Sequence, residues 1–279
     1  MQTADQPIGV FDSGVGGLSV LRAMRNQMPE EDLIYFGDQG HVPYGARPMD
    51  QIQAFSEAIT DFLLSRGAKL IVVACNTASA AALKYLRIRF PDVAFVGMEP
   101  AVKPAAERTH SGVVGVLATP ATFQGALYAS VVERFANGVE LLQDTCPGLV
   151  AQIEAGDLDG PRTREILKHA LLPMLDKGID TVVLGCTHYP FVIPLIEEIV
   201  GDGVRVIDPS PAVARQAGRL LQADGLRRPP GKSGSMHFIT SGSVVGMKSL
   251  LPALFGENCD VETVEWKGDH TIEIVRVGS

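Results

Sequence analysis

Long basic runs, paired cysteines and a leading apolar segment are all missing from this chain of 279 residues. Lys and Arg number 24 against 32 Asp and Glu, which gives a net charge of −8. A broad nucleic-acid surface needs a basic face, so we expect no nucleic-acid partner. Residues 1–7 hold neither a basic nor a long apolar stretch, and we therefore expect a cytoplasmic protein without a membrane partner.

Cysteine is also scarce. The chain has four cysteines, and none of them shows the paired spacing of a zinc site. In a reducing compartment a disulfide framework is not expected either, so each cysteine is interpreted as a reactive thiol or as a small buried apolar side chain. The four are Cys75, Cys146, Cys186 and Cys259.

Hydrophobic residues, by contrast, make up 46% of the chain, and two similar apolar stretches organise it. One runs from Ile71 to Val73 and continues to Cys75, and the other runs from Thr181 to Cys186. Their β-branched residues predict strands that are buried on both faces of a parallel sheet. Both cysteines therefore stand at the carboxyl ends of strands, which is the edge of an open α/β sheet where ligands bind.

The spacing of the two stretches indicates an internal duplication. The offset between the cysteines (186 minus 75, or 111) also maps Pro100-Ala101-Val102 onto Pro211-Ala212-Val213, and an offset of 106 places Gly9–Ser13 beside Gly115–Thr119. We predict an α/β fold of two pseudo-symmetric, doubly wound domains with mainly parallel sheets and the active site between them. The expected domains are residues 1–98 plus 210–279, carrying Cys75, and residues 99–209, carrying Cys186.

A glycine loop follows the first predicted strand, Ile8–Asp12. The sequence Gly14-Val15-Gly16-Gly17 lacks the third glycine of a dinucleotide fingerprint at the required place, so we interpret it as backbone amides that hold a carboxylate or another small anion. Asp12 is either a cap of this loop or a carboxylate of the site. Further along, Pro43-Tyr44-Gly45 is either a plain turn or a lining of the same crevice.

Elsewhere the pattern is less informative. Residues 105–111 are interpreted as a connection that leads into a strand at Val113–Ala118. The polar stretch Asp224–Ser235, with its prolines and glycines, predicts a flexible loop. The last two predicted strands, Met236–Ser241 and Val261–Trp266, are expected to return to the sheet of the first domain.

Two thiols at equivalent strand ends suit one kind of reaction. Inverting a stereocentre by proton transfer needs a base on one face of the carbon and an acid on the other. At an unperturbed pKa of about 8.5, roughly a tenth of a thiol is ionised near pH 7.5, so the site must shift it or pass the proton to a neighbour. Asp12 and His188 are candidates for that neighbour, although His188 can also be a plain capping imidazole.

Four motifs, taken together, resemble glutamate racemases of the aspartate/glutamate racemase superfamily. They are Phe11–Val20, Pro43-Tyr44-Gly45, Ala74-Cys75-Asn76-Thr77 and Gly185-Cys186-Thr187-His188-Tyr189-Pro190. The resemblance spans residues 7–223. It implies interconversion of L- and D-glutamate without pyridoxal phosphate, another cofactor or a metal, supply of D-glutamate for peptidoglycan synthesis, and a homodimer.

The resemblance also implies roles for individual residues. Cys75 would deprotonate the D-enantiomer with the help of Asp12, and Cys186 would deprotonate the L-enantiomer with the help of His188. Glu154 lies where the family often has a further acidic catalytic residue. The residues expected to hold the substrate's ammonium and carboxylates are Asp12, Ser13, Tyr44, Gly45, Asn76, Thr77, Thr187 and His188.

Three alternatives remain open at this point. Aspartate racemases are similar around both cysteines, but they typically carry an acidic residue where His188 stands. A cysteine hydrolase could use Cys186 with His188 and a carboxylate, which would leave Cys75 without a role. A two-lobed protein that only binds a small ligand would share the crevice but has no use for paired thiols.

Overall fold

Short apolar segments form the strands of the computed structural model, which describes residues 2–268 and 270–275. In chain order they are β1 (Ile8–Asp12), β2 (Leu33–Gly37), β3 (Leu70–Val73), β4 (Ala94–Gly97), β5 (Val113–Ala118), β6 (Glu140–Asp144), β7 (Thr181–Gly185), β8 (Arg205–Ile207), β9 (Met236–Thr240), β10 (Val261–Trp266) and β11 (Ile272–Ile274).

Helices alternate with these strands over most of the chain. They are α1 (Leu18–Gln27), α2 (Met49–Ser65), α3 (Asn76–Arg89), α4 (Val102–Arg108), α5 (Pro120–Gln124), α6 (Ala126–Phe135), α7 (Leu149–Glu154), α8 (Pro161–Asp176), α9 (Ile193–Val200), α10 (Ser210–Ala223) and α11 (Val244–Leu254). Single turns of 3₁₀ helix cover Tyr44–Ala46 and Tyr189–Val192. Within the described ranges, no helix combines the length and the apolar character needed to span a membrane.

The chain divides into two units, residues 1–98 with 210–279 and residues 99–209. In the first unit the strand order is β11-β10-β9-β2-β1-β3-β4. Its strand pairs are parallel except for β10 with β11, which is antiparallel. The strands after residue 235 thus extend the sheet that carries β1, as predicted for the end of the chain.

The second unit has a smaller sheet of order β6-β5-β7-β8, in which all three pairs are parallel. This order repeats β2-β1-β3-β4 of the first unit, with β5 in the place of β1 and β7 in the place of β3. The predicted α/β fold with mainly parallel sheets is confirmed. The repetition of strand order agrees with the duplication inferred from the sequence offsets.

The β-branched strands are buried because helices cover the sheet. In the first unit, Phe11, Phe36 and Val73 belong to one core cluster with α2 and α3, which contribute Phe55, Ile59, Leu63, Ala78, Ala82 and Leu86. The long helices α2 and α8 end close to glycines. Gly67 and Gly178 follow α2 and α8 with φ of 84° and 80°, a conformation that glycine adopts without strain.

Three details differ from the sequence predictions. The cysteine strands are shorter than expected, because Cys75 and Cys186 leave the strand ladder and start the turn beyond it. Residues 105–108, interpreted as part of a connection, belong to α4; its seven residues are too few to show a helical period. The stretch 224–235 forms neither helix nor strand, but Arg228 ties it down by donating hydrogen bonds to the backbone carbonyl of Glu30 and to Asp32.

Candidate active site

The two predicted thiols occupy the same place in their respective sheets. Phe11 pairs with Val73, two residues before Cys75, and Leu117 pairs with Leu184, two residues before Cys186. Phe11 and Leu117 are themselves related by the offset of 106 (117 minus 11) found in the sequence. Each cysteine therefore follows the carboxyl end of the equivalent strand of its own unit.

Cys75 is the N-cap residue of α3. Its sulfur accepts a hydrogen bond from the backbone amide of Ala78 at 3.4 Å, and its S–H donates to the hydroxyl oxygen of Ser13 at 3.8 Å. The side chain is 4% exposed. The amide and the positive end of the helix stabilise negative charge on the sulfur, as a base requires.

Asp12 organises the glycine loop beside Cys75. One carboxylate oxygen accepts hydrogen bonds from the backbone amides of Gly14 and Gly17, at 3.2 and 3.0 Å. Gly17 lies so close that a Cβ there would stand 2.7 Å from the Cβ of Asp12. The structure thus shows Asp12 as a cap of the loop, and these two amides bind Asp12, which corrects the interpretation that they wait for a ligand anion.

Asn76 follows Cys75 and is buried at 4% exposure, as is Thr77. Neither the nitrogen nor the oxygen of the Asn76 amide has a hydrogen-bond partner among the described residues. A buried amide without partners is costly, and such groups are typical of sites that bind a polar ligand. Asn76 is thus a suitable group for a substrate carboxylate or ammonium.

Tyr44 lies in a 3₁₀ turn with Gly45, but its side chain points into the unit and is 1% exposed. The hydroxyl donates a hydrogen bond to Asp38 at 2.6 Å. Burial, together with the negative charge of Asp38, raises the pKa of Tyr44 well above its ordinary value. The phenol therefore stays protonated, and its proton is engaged with Asp38.

In the second unit, Cys186, His188 and Glu154 form a chain of polar contacts. The His188 ring lies between them, with Nδ1 at 3.8 Å from the Cys186 sulfur and Nε2 at 2.6 Å from Oε1 of Glu154. Burial acts to lower the pKa of His188, but the hydrogen bonds to Cys186 and Glu154 outweigh it and raise the pKa well above its ordinary value. The ring is therefore a charged imidazolium held between Cys186 and Glu154.

Thr187 is buried between Cys186 and His188. Cys146, which is expected to be structural, is also buried and has a φ of 44°. Burial, followed by the negative charge of Asp144, raises the pKa of Cys146 far above its ordinary range. Cys146 is therefore a neutral thiol in the wall of this unit.

Thr119 is a further candidate for the site, and the sequence motifs did not identify it. It follows β5 as Ser13 follows β1, and the offset of 106 (119 minus 13) already paired these residues. Its hydroxyl accepts from the amide of Thr122 at 3.4 Å and caps α5. Across the described ranges, no group of three or more His, Cys, Asp or Glu side chains is arranged to hold a metal ion.

The profile of the Asp/Glu/Hydantoin racemase family matches residues 8–217 of the chain. A glutamate racemase from Ectopseudomonas mendocina (strain ymp) is 50% identical over 262 residues, which are 94% of this chain and 99% of that protein. The chain belongs to the glutamate racemases of this family.

Solved structures of glutamate racemases share the fold. The crystal structure of the isoform RacE1 from Bacillus anthracis superposes with a TM-score of 0.84 at 32% identity, over 93% of this chain and 97% of that one. The enzyme from Francisella tularensis subsp. tularensis SCHU S4, solved in complex with D-glutamate, gives 0.81 at 30% identity, over 94% and 98%. The predicted resemblance to glutamate racemases is confirmed.

Proposed function

We propose that the chain interconverts L- and D-glutamate by a two-thiol, cofactor-independent transfer of the Cα proton, with Cys75 and Cys186 as the acid and base. The observation that carries this proposal is the equivalence of the two cysteines, which follow the same strand in two sheets of the same order. The glutamate racemase relatives, one of them crystallised with D-glutamate, support glutamate as the substrate.

In the proposed reaction, one thiolate takes the hydrogen of the Cα–H bond as a proton. The electron pair of that bond passes into the α-carboxylate, and the other thiol gives its S–H proton to the opposite face of Cα. After this step the proton of the enzyme lies on the first sulfur rather than on the second. A turnover in the reverse direction restores the original protonation of the two sulfurs. Cys75 acts on the D-enantiomer and Cys186 on the L-enantiomer.

The local surroundings support a different way of stabilising each thiolate. At Cys75 the Ala78 amide and the α3 dipole provide partial positive charge. At Cys186 the imidazolium of His188, paired with Glu154, provides a full charge. Asp12 assists Cys75 in the proposal and holds the loop that places Ser13 beside its sulfur.

For the substrate, we propose that residues which follow β1, β2 and the two cysteines bind its ammonium and carboxylates. The buried amide of Asn76 supports this role most directly, because neither its nitrogen nor its oxygen has a hydrogen-bond partner among the described residues. The full set is Asp12, Ser13, Tyr44, Gly45, Asn76, Thr77, Thr187 and His188.

From the family resemblance we further propose that the enzyme is a cytoplasmic homodimer and that its D-glutamate feeds peptidoglycan synthesis. Light scattering on the protein as it elutes from a size-exclusion column measures its molar mass and so tests whether it is a dimer. A mass equal to that of a single chain of 29.8 kDa would contradict it.

The proposed activity is tested by incubating the purified protein with D-glutamate in deuterated water. We expect deuterium at Cα together with loss of optical rotation, because each inversion returns a proton from a thiol that exchanges with solvent. A cysteine hydrolase or a protein that only binds glutamate would produce neither change. The same assay with L- and D-aspartate separates glutamate from aspartate racemases.

A further inference from the structure

A buried carboxylate connects the loop of Tyr44 with the end of the chain. Asp38 directly follows β2 and is fully buried, at 0% exposure. Removing a carboxylate from water is costly unless hydrogen bonds replace its hydration. The donors that surround Asp38 must therefore be held in place for the unit to be stable.

Two of these donors come from the loop that follows Asp38. The hydroxyl of Tyr44 donates to Oδ2 at 2.6 Å, and Nδ1 of His41 lies 3.0 Å from the same oxygen. Because the Tyr44 hydroxyl has one proton and gives it to Asp38, the phenol has no proton left to donate to a substrate. What Tyr44 offers to a ligand is its backbone and that of Gly45, whose position depends on this anchor.

The other two donors come from the far end of the chain. The hydroxyl of Ser241 donates to Oδ1 of Asp38 at 2.5 Å, and Nε1 of Trp266 donates to the same oxygen at 2.8 Å. Ser241 follows β9 and Trp266 ends β10, so both lie beyond residues 8–217, the range that matches the family profile.

Further contacts hold the same loop against these strands and against α2. Ser241 also accepts a hydrogen bond from the backbone amide of Gly40 at 3.0 Å. The His41 ring stacks on Phe55 at 4.0 Å between centroids, and the Trp266 ring meets the edge of His41 at 4.9 Å. The loop is thus held by polar and aromatic contacts to the C-terminal strands and by stacking on α2.

We propose that Asp38, Ser241 and Trp266 are positioning residues for glutamate, which fix the Tyr44–Gly45 turn without touching the substrate. This inference rests on the proposed function, in which that turn binds the substrate. It gives the strands after residue 235, which carry no motif of the family, a role in substrate affinity rather than in proton transfer.

Steady-state kinetics of Trp266→Phe and Ser241→Ala test the proposal, since each removes one donor to Asp38 and keeps most of the side chain's volume. We expect the KM for D-glutamate to rise about tenfold, with kcat within about twofold of the wild type. Because both variants act through Asp38, adding Trp266→Phe to Asp38→Asn is expected to raise KM no further.

Leu251→Ala is the matched control. Leu251 is fully buried in α11 of the same C-terminal segment, so its loss lowers the melting temperature. A merely structural role of the segment would give this variant the same KM as Trp266→Phe. We expect its KM to stay at the wild-type value.

Trp266 is the single tryptophan of the chain and provides a second readout. We expect its emission to change when D-glutamate is added to the wild type and to stay constant in Asp38→Asn. If the wild type racemises glutamate while Trp266→Phe and Ser241→Ala keep its KM, the inference alone is wrong. A wild type that is inert toward glutamate refutes the proposed function and the inference with it.

Discussion

His188 and Glu154 form a buried pair, with Nε2 of the imidazole 2.6 Å from Oε1 of the carboxylate, and the other ring nitrogen faces the Cys186 sulfur. Because the pKa of His188 is raised, this pair places a protonated imidazole next to the thiol of the second unit. The first unit has no histidine at the equivalent position, because the residue two positions after Cys75 is Thr77. The two thiols of the proposed reaction therefore work in different electrostatic surroundings.

Replacing Glu154 by Gln tests this arrangement through activity. Without the carboxylate the imidazolium is less stable, so it supports the Cys186 thiolate less well, and we expect kcat/KM to fall by about tenfold to a hundredfold. Since L- and D-glutamate have equal free energies in water, kcat/KM must fall by the same factor in both directions. Polarimetry from each enantiomer measures this.

The control for that experiment is Glu198→Gln. This variant also replaces a paired glutamate by glutamine, but Glu198 lies on the exposed surface of α9, where it pairs with Arg164. Its rates are expected to equal those of the wild type. Equal losses in the two variants would show that Glu154 has no specific role.

The raised pKa of His188 also predicts how stability depends on pH. The folded protein holds the His188 proton more tightly than the unfolded chain, in which the pKa is about 6.5. The resulting stabilisation is complete below that pH and is lost as the pH rises through the raised pKa of the folded state. Urea unfolding between pH 6 and 9 measures this decline, and we expect Glu154→Gln to flatten it. An identical decline in the variant would contradict the assignment.

The buried pair of Lys69 and Glu31 allows a test of how a buried ion pair affects the stability of the first unit. Nζ of Lys69 lies 2.6 Å from Oε2 of Glu31, and both side chains are fully buried. Lys69→Met leaves a buried carboxylate without its partner, and we expect the free energy of unfolding to fall by about 3–5 kcal/mol. In the double variant Lys69→Met with Glu31→Gln, most of the lost free energy of unfolding is expected to be recovered. Denaturant unfolding of both variants measures this.

Lys248→Met is the matched control for Lys69→Met. Lys248 pairs with Asp260 at 2.9 Å on the exposed surface, where solvent screens the interaction. Its removal is expected to leave the unfolding midpoint unchanged. A double variant of Lys69 and Glu31 as unstable as Lys69→Met would indicate that lost packing, rather than the unpaired charge, causes the effect.

Most of the sheet is predictable from the sequence, because buried parallel strands are local apolar runs such as Ile71–Val73. The thiol positions follow from the repeat, since a duplicated strand and turn keep their spacing. The contacts of His188 with Glu154 are suggested only by family resemblance, as 34 residues separate them.

The Asp38 cluster shows what sequence reasoning could not reach. Asp38 and Trp266 lie 228 positions apart, and only the pairing of β2 with β9 and of β9 with β10 brings them together. In the sequence Asp38 is a polar residue at a strand end, and Trp266 is a strand residue near the end of the chain. Neither pattern indicates a hydrogen bond, which depends on tertiary packing.

The most direct test of the two-thiol reaction compares Cα exchange of the separate enantiomers in Cys75→Ser and Cys186→Ser, with Cys259→Ser as the control. We expect both variants to lose inversion. Cys186→Ser should still place deuterium at Cα of D-glutamate without inverting it, and Cys75→Ser should do so with L-glutamate, because each keeps one base. Inversion at the wild-type rate in either variant, or exchange with the same preference in both, would contradict the account.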